Sequence, residues 1–473
     1  MAWRAFWRAA SGAAFAAAAI GACTGGYVQD PAGFCLDEPS DSRCASSGGR
    51  AGAGGAGGGG GSPTQGGGGG GSGGAPLMGS SGSSGAGGAG GLQCEAPEVE
   101  CGGACVNVGA SAEHCGECRY ACGQGSTCSA GACSAFVVVE NVLAPYAFVL
   151  DAQNVYFVSP VKDTGGLLAP VRRAPRGGGP PESVFAGNPT FRSRSLALVA
   201  GVLHFGDLAN GGVIFKGPAD GSDGVDQHVA EGQPTVQHLI AADERLWWSS
   251  FNGGTSSLRR APSAGDNVAA QDVVELQIGR VDALAVEGAG PAAVAYWVNR
   301  DASSAANGGL WRKGEASEPS RIATGEQMIQ LAVGTDAVFV ADRGRGIVRA
   351  AKAGAGASAE VVVPQAEVGG ALQGIAVEGD RLYWLALSGA SLELHRSGLD
   401  GAGARVLGRA MVKSTAYWAA PFGASAIVLN GGFVYFADPG TVTGLEAQDI
   451  SYNGAVGAPD GAIYRLPAGP AGG

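Results

Sequence analysis

The stretch Ile375-Ala-Val-Glu-Gly-Asp-Arg-Leu-Tyr-Trp384 contains an apolar run, a turn at Gly379-Asp380, and then a step of one aliphatic and two aromatic residues. Related steps recur along the chain, at Val155-Tyr156-Phe157, Leu203-His204-Phe205, Leu246-Trp247-Trp248, Ala295-Tyr296-Trp297, Val338-Phe339-Val340, Leu382-Tyr383-Trp384 and Val434-Tyr435-Phe436. The third residues of consecutive steps are 43 to 52 positions apart. A period in the forties with strand-forming residues predicts one β-propeller blade per repeat, and therefore an all-β protein with a seven-bladed propeller.

The rest of each repeat predicts four short strands per blade. An apolar strand such as Leu284-Ala-Val-Glu precedes the aromatic step, and a third strand that ends in a basic residue follows it. These basic residues are Arg173, Lys216, Arg260, Lys313, Arg349, Arg396 and Arg465. A turn of the Asp-Gly type, as at Asp400-Gly401, leads into the fourth strand. We expect the aromatic residues, and His204 with them, to pack between blades, and the basic residues to be solvated or paired with carboxylates.

The two ends of the repeat region predict how the ring closes. The last repeat reaches its third strand at Ile463-Tyr464-Arg465-Leu466, and the seven residues that follow are too few for a fourth strand. Phe136-Val137-Val138-Val139 is strand-like but has no blade of its own. We predict that residues 136–139 complete the seventh blade, which removes an exposed sheet edge.

The aromatic steps resemble the Tyr-Trp-Thr-Asp repeats of propellers of the low-density-lipoprotein receptor type. Two positions after the second aromatic position, most copies have a small polar residue: Ser159, Asp207, Ser250, Asn299, Asp342, Ala386 and Asp438. That family usually has six repeats and a stricter motif, whereas this chain has seven. The resemblance supports the type of blade and implies no particular ligand.

The N-terminus has the pattern of an export signal. Arg4 and Arg8 form a basic region, and an Ala-rich apolar run from Ala9 to Ile20 follows, far short of the ~20 residues that span a bilayer. It ends in Ile20-Gly21-Ala22-Cys23, which resembles the lipobox of bacterial lipoproteins. The resemblance implies cleavage after residue 22, lipidation of Cys23 and a bacterial cell envelope location, at the outer membrane or cell surface rather than the inner membrane. The alternative is an ordinary secretory signal, with Cys23 as a disulfide cysteine.

The cysteine count agrees with lipidation. The chain has 11 cysteines, an odd number that needs an explanation in an exported protein. Without Cys23 an even number remains, which can pair fully as disulfides: Cys35, Cys44, Cys94, Cys101, Cys105, Cys115, Cys118, Cys122, Cys128 and Cys133. Cys35 and Cys44 could close one small loop. No cysteine follows Cys133, so the repeats must be stable by burial alone.

Residues 94–133 form a compact cysteine module. The text CGGACVNVGASAEHCGECRYACGQGSTCSAGAC, from Cys101 onward, resembles the stigma-specific cysteine-rich family, whose modules also occur in secreted bacterial proteins. A segment this short lacks an adequate core, so we expect four disulfides to stabilise it. Zinc bound by His114, Cys115 and Cys118 is the alternative, which an oxidising compartment and an even cysteine count disfavour.

Composition completes the predicted domain order. Residues 46–92 are nearly all Gly, Ser and Ala, and such a segment cannot bury enough apolar surface to become ordered. The expected domains are a signal peptide at 1–22, a lipidated N-terminus and disordered Gly-rich tether at 23–93, the cysteine module at 94–133, and the propeller at 134–473.

Charge and motifs exclude several functions. The formal net charge is -11, which argues against a nucleic-acid partner because phosphate binding needs clustered Lys and Arg. We find no serine-nucleophile elbow and no zinc-protease motif, so we expect no enzymatic activity, no cofactor and no metal. Asp220, Asp223 and Asp226 do not match the spacing of a calcium-binding loop, and a turn is the better interpretation.

Two long connections near the seventh repeat predict a binding site. In a propeller, connections between blades and those between second and third strands emerge on one face. Residues 409–425 and 440–460 belong to these classes and should lie side by side. Long loops on a rigid scaffold often bind ligands. We therefore expect an envelope-anchored protein that binds a protein, peptide or glycan through these candidate residues: Tyr417, Trp418, Phe422, Asp449 and Tyr452. An exported lyase or hydrolase and a purely structural lipoprotein are the alternatives, and loops that only cover the channel mouth would fit the latter.

Overall fold

Seven antiparallel blades of four strands each make up most of the structure, a computed structural model, and the sheet of the sixth blade is extended by two strands of the cysteine module. The structure describes residues 92–145, 147–159, 161–163, 166–168, 170–185, 193–207, 212–229, 235–252, 255–276, 280–300, 308–325, 327–353, 359–413, 427–443, 456–457 and 459–469. The predicted all-β, seven-bladed propeller is confirmed. Cys23, Cys35, Cys44, the signal peptide and the Gly-rich tether lie outside the described residues. In the described part of the chain, no helix is long and apolar enough to span a membrane.

The strands of blades 1 to 4 follow one another in sequence, and each blade uses four consecutive principal strands. Their bounds are Ala147–Leu150, Asn154–Val158, Val171–Pro175 and Glu182–Ser183 in blade 1; Ser193–Val199, Val202–Asp207, Ile214–Pro218 and Asp226–Val229 in blade 2; Thr235–Ala242, Arg245–Asn252, Thr255–Pro262 and Gln271–Leu276 in blade 3; and Arg280–Glu287, Val294–Arg300, Gly309–Gly314 and Ser320–Thr324 in blade 4.

Blades 5 and 6 repeat this order, and blade 7 takes its fourth strand from before blade 1. The bounds are Met328–Val333, Ala337–Asp342, Gly346–Ala351 and Glu360–Pro364 in blade 5; Ala371–Glu378, Arg381–Ser388, Ser391–Gly398 and Arg405–Met411 in blade 6; and Ile427–Asn430, Phe433–Asp438, Gly461–Pro467 and Phe136–Val142 in blade 7. Minor hairpins pair Val161–Asp163 with Gly166–Leu168 and Val442–Thr443 with Val456–Gly457, and short 3-10 helices span Gly290–Ala292 and Gln365–Glu367.

Buried aromatic and aliphatic side chains fill the boundaries between blades. The last residue of every aromatic step is fully buried: Phe157, Phe205, Trp248, Trp297, Val340, Trp384 and Phe436. A hydrophobic cluster lies at each boundary, including the boundary between blades 7 and 1. His204 is also fully buried, as predicted, and its Nε2 lies 3.2 Å from the carbonyl oxygen of Ser263 in blade 3. The repeated residues therefore form the scaffold.

The predicted closure of the ring is confirmed, over a strand longer than the sequence indicated. Phe136–Val142 pairs antiparallel with Gly461–Pro467, with Val139 opposite Ile463. Cationic and aromatic side chains strengthen this closure. The guanidinium of Arg465 lies 4.6 Å from the ring centroid of Phe136. Across the boundary with blade 1, Arg176 Nε donates a 2.8 Å hydrogen bond to the Tyr435 hydroxyl.

The cysteine module contains the four expected disulfides, all within residues 94–133. They join Cys94 to Cys105, Cys101 to Cys118, Cys115 to Cys128 and Cys122 to Cys133. Its short strands pair Val99–Glu100 with Cys105–Val106, and Cys128–Ser129 with Ala132–Ser134. The strand Ala132–Ser134 also pairs in parallel with the fourth strand of blade 6, where Cys133 lies opposite Gly408. The module is thus continuous with the propeller sheet.

Replacing Val139 with alanine should destabilise the closed ring. Val139 is 1% exposed and packs between blades 7 and 1, so its removal should lower the free energy of unfolding by roughly 2 kcal/mol. Val137 lies in the same strand but is 40% exposed, and Val137→Ala should cost less than about 0.5 kcal/mol. Denaturant unfolding of both variants measures the difference. Equal effects would contradict the assignment of this strand to the core.

Candidate functional site

The structure describes the stems of the two long blade 7 connections but not their tips. The five candidate ligand-binding residues Tyr417, Trp418, Phe422, Asp449 and Tyr452 all lie outside the described residues. The first connection leaves the described chain after Lys413 and returns at Ile427. The second connection starts after Asp438 and ends at Asp460. The described site is therefore the base on which both loops stand.

A buried carboxylate lies at this base, at the end of the second strand of blade 7. Asp438 is fully buried, and its Oδ1 accepts a 2.9 Å hydrogen bond from the backbone N–H of Gly440. Its Oδ2 is buried and has no hydrogen-bond partner among the described residues. The backbone and the charge of Lys413 also act on this carboxylate. Because Lys413 ends the stem of one loop and Gly440 begins the other, Asp438 brings the two stems together on one face.

A second carboxylate closes the loop from 440 to 460 at its base. Asp460 Oδ1 accepts a 2.6 Å hydrogen bond from the Thr441 N–H, and Oδ2 accepts one of 2.8 Å from the Thr441 hydroxyl. Gly440 has a positive φ of 72°, and a Cβ there would lie 2.4 Å from Asp460 Oδ1, so glycine is required. The start and end of this loop are consequently held together whatever the conformation of its tip.

Blade 5 has the same local structure with a different charge. Asp342 occupies the position equivalent to Asp438, and its Oδ1 accepts the backbone N–H of Gly344 at 2.9 Å. Its Oδ2, however, pairs with Arg345, whose Nε lies 3.0 Å away. Blade 7 has Thr441 where blade 5 has Arg345, and it has Asp460 nearby. The turn geometry is therefore shared by blades 5 and 7, but of these two blades only blade 5 has an arginine at this position.

The electrostatics of Asp438 reflect this difference. Burial raises the pKa of the Asp438 carboxyl from 3.8 to about 6, and the negative charge of Asp460 adds to the effect. The N–H of Gly440 and the charge of Lys413 lower the pKa again but do not cancel the effect of burial. The carboxylate thus titrates much closer to neutral pH than an ordinary aspartate does.

Among the described residues, neither of two acidic clusters provides a full metal site. Asp438 and Asp460 supply too few oxygens for Ca²⁺, which takes six to eight. Asp220 Oδ1 instead accepts the N–H of Ser222 at 2.9 Å, which agrees with the interpretation of residues 220–226 as a turn.

The cysteine cluster offers no metal ligands either. Among the described residues, one group of three potential metal ligands has its donor atoms within 4.8 Å of one another, namely Cys115, Cys122 and Cys133. All three sulfurs are in disulfides, so they provide no thiolates. His114, the histidine of the zinc alternative, accepts a 3.0 Å hydrogen bond at Nδ1 from the backbone of Arg119.

Titratable side chains also meet on the first strands of blades 3 and 4. His238 Nε2 lies 3.0 Å from the carbonyl oxygen of Val281, and Arg280 Nε lies 3.2 Å from Asp282 Oδ1. Burial lowers the pKa of His238 to about 4, so the imidazole is neutral at pH 7. The contact between His238 and Val281 joins two blades, which is a structural role.

The sequence located the loops but not the carboxylate beneath them. The lengths of the two connections predicted that they share a face, and their described stems meet at Asp438. Asp438 itself was noted only as one of seven repeated small polar residues. The sequence does show that Thr441 follows Asp438 by three residues where Arg345 follows Asp342. This difference matters only because Asp438 is buried, which the sequence does not show.

One family model matches part of the chain. It is described as the stigma-specific STIG1-like protein family and matches residues 81–136, which include the cysteine module. This agrees with the resemblance that the cysteine spacing indicated. No curated protein is significantly similar to the chain.

Several solved structures are similar to the propeller at low sequence identity. U3-55K is 11% identical with a TM-score of 0.45, over 71% of this chain and 98% of that one. YCF48 bound to D1 peptide is 13% identical with a TM-score of 0.43, over 69% and 93%. The β-propeller domain of the Trilobed protease from Pyrococcus furiosus is 7% identical with a TM-score of 0.41, over 63% and 91%. Similarity at this level carries no information about function.

Replacing Asp438 with asparagine should change how stability depends on pH. Because the carboxyl pKa is higher in the folded state, the folded protein binds more protons between about pH 4 and pH 6, and stability falls as pH rises through this window. The variant lacks this contribution. The stability difference between wild type and Asp438→Asn should therefore shift by roughly 1–3 kcal/mol from pH 4 to pH 7, as thermal unfolding measures.

Asp342→Asn is the matched control for this experiment. It removes a carboxylate at the equivalent position of blade 5, where Arg345 supplies a positive partner. This variant should lose stability at pH 7, because the guanidinium of Arg345 is left without its carboxylate partner. Identical pH profiles for the two variants would show that the environment of Asp438 is not special.

Proposed function

We propose that this chain is a binding protein whose ligand contacts the blade 7 side of one propeller face. The observation that carries the proposal is the convergence of two long connections on Asp438. Rigid scaffolds commonly place recognition on such loops, because loop sequence can change without altering the core. Here hydrogen bonds at Gly440 and Thr441 hold the described base of the 440–460 connection in place.

The contacts of the repeated side chains support this location. Basic residues at the ends of third strands pair with carboxylates, as in Lys216 with Asp266 at 2.6 Å and Arg260 with Glu315 at 2.8 Å. Aromatic residues of the repeats are buried between blades. Residues committed to such contacts are poorly available for a ligand, which leaves the irregular loops of blade 7 as the better candidates.

The aromatic content of these loops suits a protein, peptide or glycan ligand. Tyr417, Trp418 and Phe422 belong to one loop, and Asp449 and Tyr452 belong to the other. Aromatic side chains are frequent anchors of protein interfaces, and their flat faces also pack on sugars. The proposal includes blades of the Tyr-Trp-Thr-Asp type, no cofactor and no nucleic-acid partner, in keeping with the net charge of -11.

An N-terminal lipid is the proposed link to a membrane. The sequence Ile20-Gly21-Ala22-Cys23 would direct lipidation of Cys23, and the Gly-rich segment that follows would act as a tether. One acyl chain gives only marginal membrane binding, whereas the several chains of a lipoprotein anchor it stably. In this proposal the propeller presents its ligand-binding face at a distance from a bacterial envelope membrane.

The double variant Tyr417→Ala/Trp418→Ala tests the binding proposal in the full-length chain. Wild-type protein is applied to a glycan array and, separately, cross-linked to envelope proteins, with titration of each hit by calorimetry. We expect at least a tenfold loss of affinity in the double variant, since interface aromatics often contribute more than about 2 kcal/mol. Val361→Ala, which alters an apolar side chain that is 43% exposed on blade 5, is the control and should bind normally.

If a ligand binds the double variant as tightly as it binds the wild-type protein, its binding site does not include these aromatic residues. Turnover of a bound glycan or peptide would instead favour the alternative of an exported hydrolase or lyase. Failure of both screens to yield any saturable ligand would favour a purely structural envelope protein.

The variant Cys23→Ser tests the membrane anchor separately. Wild-type protein expressed in a bacterium should incorporate labelled palmitate and partition into detergent, because the cysteine sulfur carries the lipid. The variant should lose both properties while it retains the same thermal unfolding, since Cys23 lies 71 residues before the first module cysteine, Cys94. Unlabelled wild-type protein cleaved elsewhere would favour an ordinary secretory signal.

A further inference from the structure

Neighbouring blades are joined by a contact that recurs at the turn between third and fourth strands. A basic residue near the end of one third strand reaches the corresponding turn of the next blade. Arg173 Nη1 donates to the carbonyl oxygen of Asp220 at 3.0 Å, and Lys216 Nζ pairs with Asp266 Oδ1 at 2.6 Å. Arg260 Nη2 likewise pairs with Glu315 Oε1 at 2.8 Å. Each of these turns therefore offers oxygen atoms to a cation of the preceding blade.

Blade 7 has no turn of this kind, because its third and fourth strands come from opposite ends of the propeller sequence. The cysteine module occupies the corresponding place. Arg396 of blade 6 pairs through Nη2 with Glu117 Oε1 of the module at 3.0 Å. Glu117 also accepts a hydrogen bond from Arg405 of blade 6. Glu117 thus pairs with the third-strand arginine of blade 6 as Glu315 pairs with that of blade 3.

At the first aromatic position of the repeat, the cysteine module and the residues after the third strand of blade 7 likewise take the place of the regular turn. His204 of blade 2 faces the carbonyl oxygen of Ser263 in the turn of blade 3. In blade 6 the equivalent Tyr383 donates its hydroxyl to the carbonyl oxygen of Ala468, just after the third strand of blade 7. Tyr120 of the module donates to the adjacent carbonyl of Pro467 at 3.0 Å. The module and the residues after the third strand therefore complete this boundary jointly.

Burial shows that the module is part of the propeller core at this boundary. Tyr120 is 1% exposed, and the guanidinium of Arg405 lies 5.4 Å from its ring centroid. Cys115, Cys122 and Cys133 belong to the same hydrophobic cluster as Leu407 and Leu466 of blades 6 and 7. Removal of this surface from the ring would expose core side chains of both blades.

Disulfides hold the two module residues that make these contacts. Glu117 lies between Cys115 and Cys118, and Tyr120 lies between Cys118 and Cys122. The bond from Cys122 to Cys133 links this segment to the strand that pairs with blade 6 and leads into the fourth strand of blade 7. A segment with so little secondary structure of its own depends on these bonds for its conformation.

We propose that the cysteine module is the closing turn of blade 7, and that its disulfides make closure of the propeller depend on oxidation. Reduction by a dithiol would add two electrons and two protons to each disulfide and give two thiols, while the reductant becomes a disulfide. The segment carrying Glu117 and Tyr120 would then leave Arg396 and Pro467, and the boundary between blades 6 and 7 would open. Before oxidation, the same chain would remain an unclosed ring.

Two double variants of the full-length chain test this proposal. Cys122→Ser/Cys133→Ser removes the bond next to the propeller, and Cys94→Ser/Cys105→Ser removes a bond at the far end of the module. Both bonds have a sequence separation of 11, so the loop-closure entropy that they contribute should be similar. Because both cysteines of each disulfide are replaced, neither variant contains a new free thiol.

The readout is hydrogen exchange of the closing strands Phe136–Val142 and Gly461–Pro467, together with thermal unfolding. We expect exchange there to rise by on the order of tenfold in the Cys122/Cys133 variant and to stay near wild type in the control. Dithiol treatment of the wild-type protein should likewise raise hydrogen exchange in the closing strands. Exchange in the strands of blade 3 should remain slower than in the closing strands. Equal exchange in the two variants, or closing strands that are unaffected by reduction, would overturn the proposal.

A charge variant keeps the test valid if the cysteine variants fail to fold. Glu117→Gln preserves the shape of the side chain but weakens its pairing with Arg396 and Arg405. It should raise exchange in the same strands, by several-fold, with all disulfides intact. Glu113→Gln alters an exposed carboxylate of the same module and should leave exchange unchanged. Identical behaviour of the two variants would contradict a closing role for Glu117.

Discussion

The antiparallel pairing of Phe136–Val142 with Gly461–Pro467 is the contact on which the rest of the structure depends. Each blade buries its side chains only by packing against two neighbours, so an open ring would expose the faces of blades 1 and 7. The pairing also covers an edge strand that would otherwise present free N–H and C=O groups. Because it joins residues more than 300 positions apart, it costs chain entropy that local hairpins do not. The Arg465 and Arg176 contacts with aromatic rings strengthen this single connection.

Charged residues in this propeller also help neighbouring blades to pack against each other. An isolated surface ion pair contributes little, but a cation that reaches a backbone carbonyl or carboxylate on the next blade also specifies how two blades align. Arg173, Lys216 and Arg260 do so between regular blades. Where the regular turn is missing, Arg396 finds Glu117 in the cysteine module. The disulfide module and the ring are accordingly parts of one folded unit, stabilised by covalent bonds on one side of the closure and by burial elsewhere.

Blade 7 departs from the other repeats at both of its edges. The described stems of two long connections meet at Asp438 at one edge, and the opposite edge receives the module in place of a turn. Asp342 in blade 5 shows what the regular repeat does with the same carboxylate, because Arg345 neutralises it there. The regular repeats of this chain therefore form the scaffold. The irregular parts of blade 7 are where ligand binding and ring closure are proposed.

The sequence by itself determined the all-β class, the seven blades, the closing strand and the number of disulfides in the module, because strand periodicity and cysteine spacing are local properties, whereas the pairing of the cysteines came from the structure. It also predicted, from connectivity, that the two blade 7 connections share a face. Only the tertiary structure decided that Glu117 meets Arg396, 279 positions away, and that Asp438 is buried where the described residues place no arginine beside it as Arg345 lies beside Asp342. Both follow from how the ring brings distant segments together. The pKa of a carboxylate likewise depends on its surroundings in space, which the order of residues does not display.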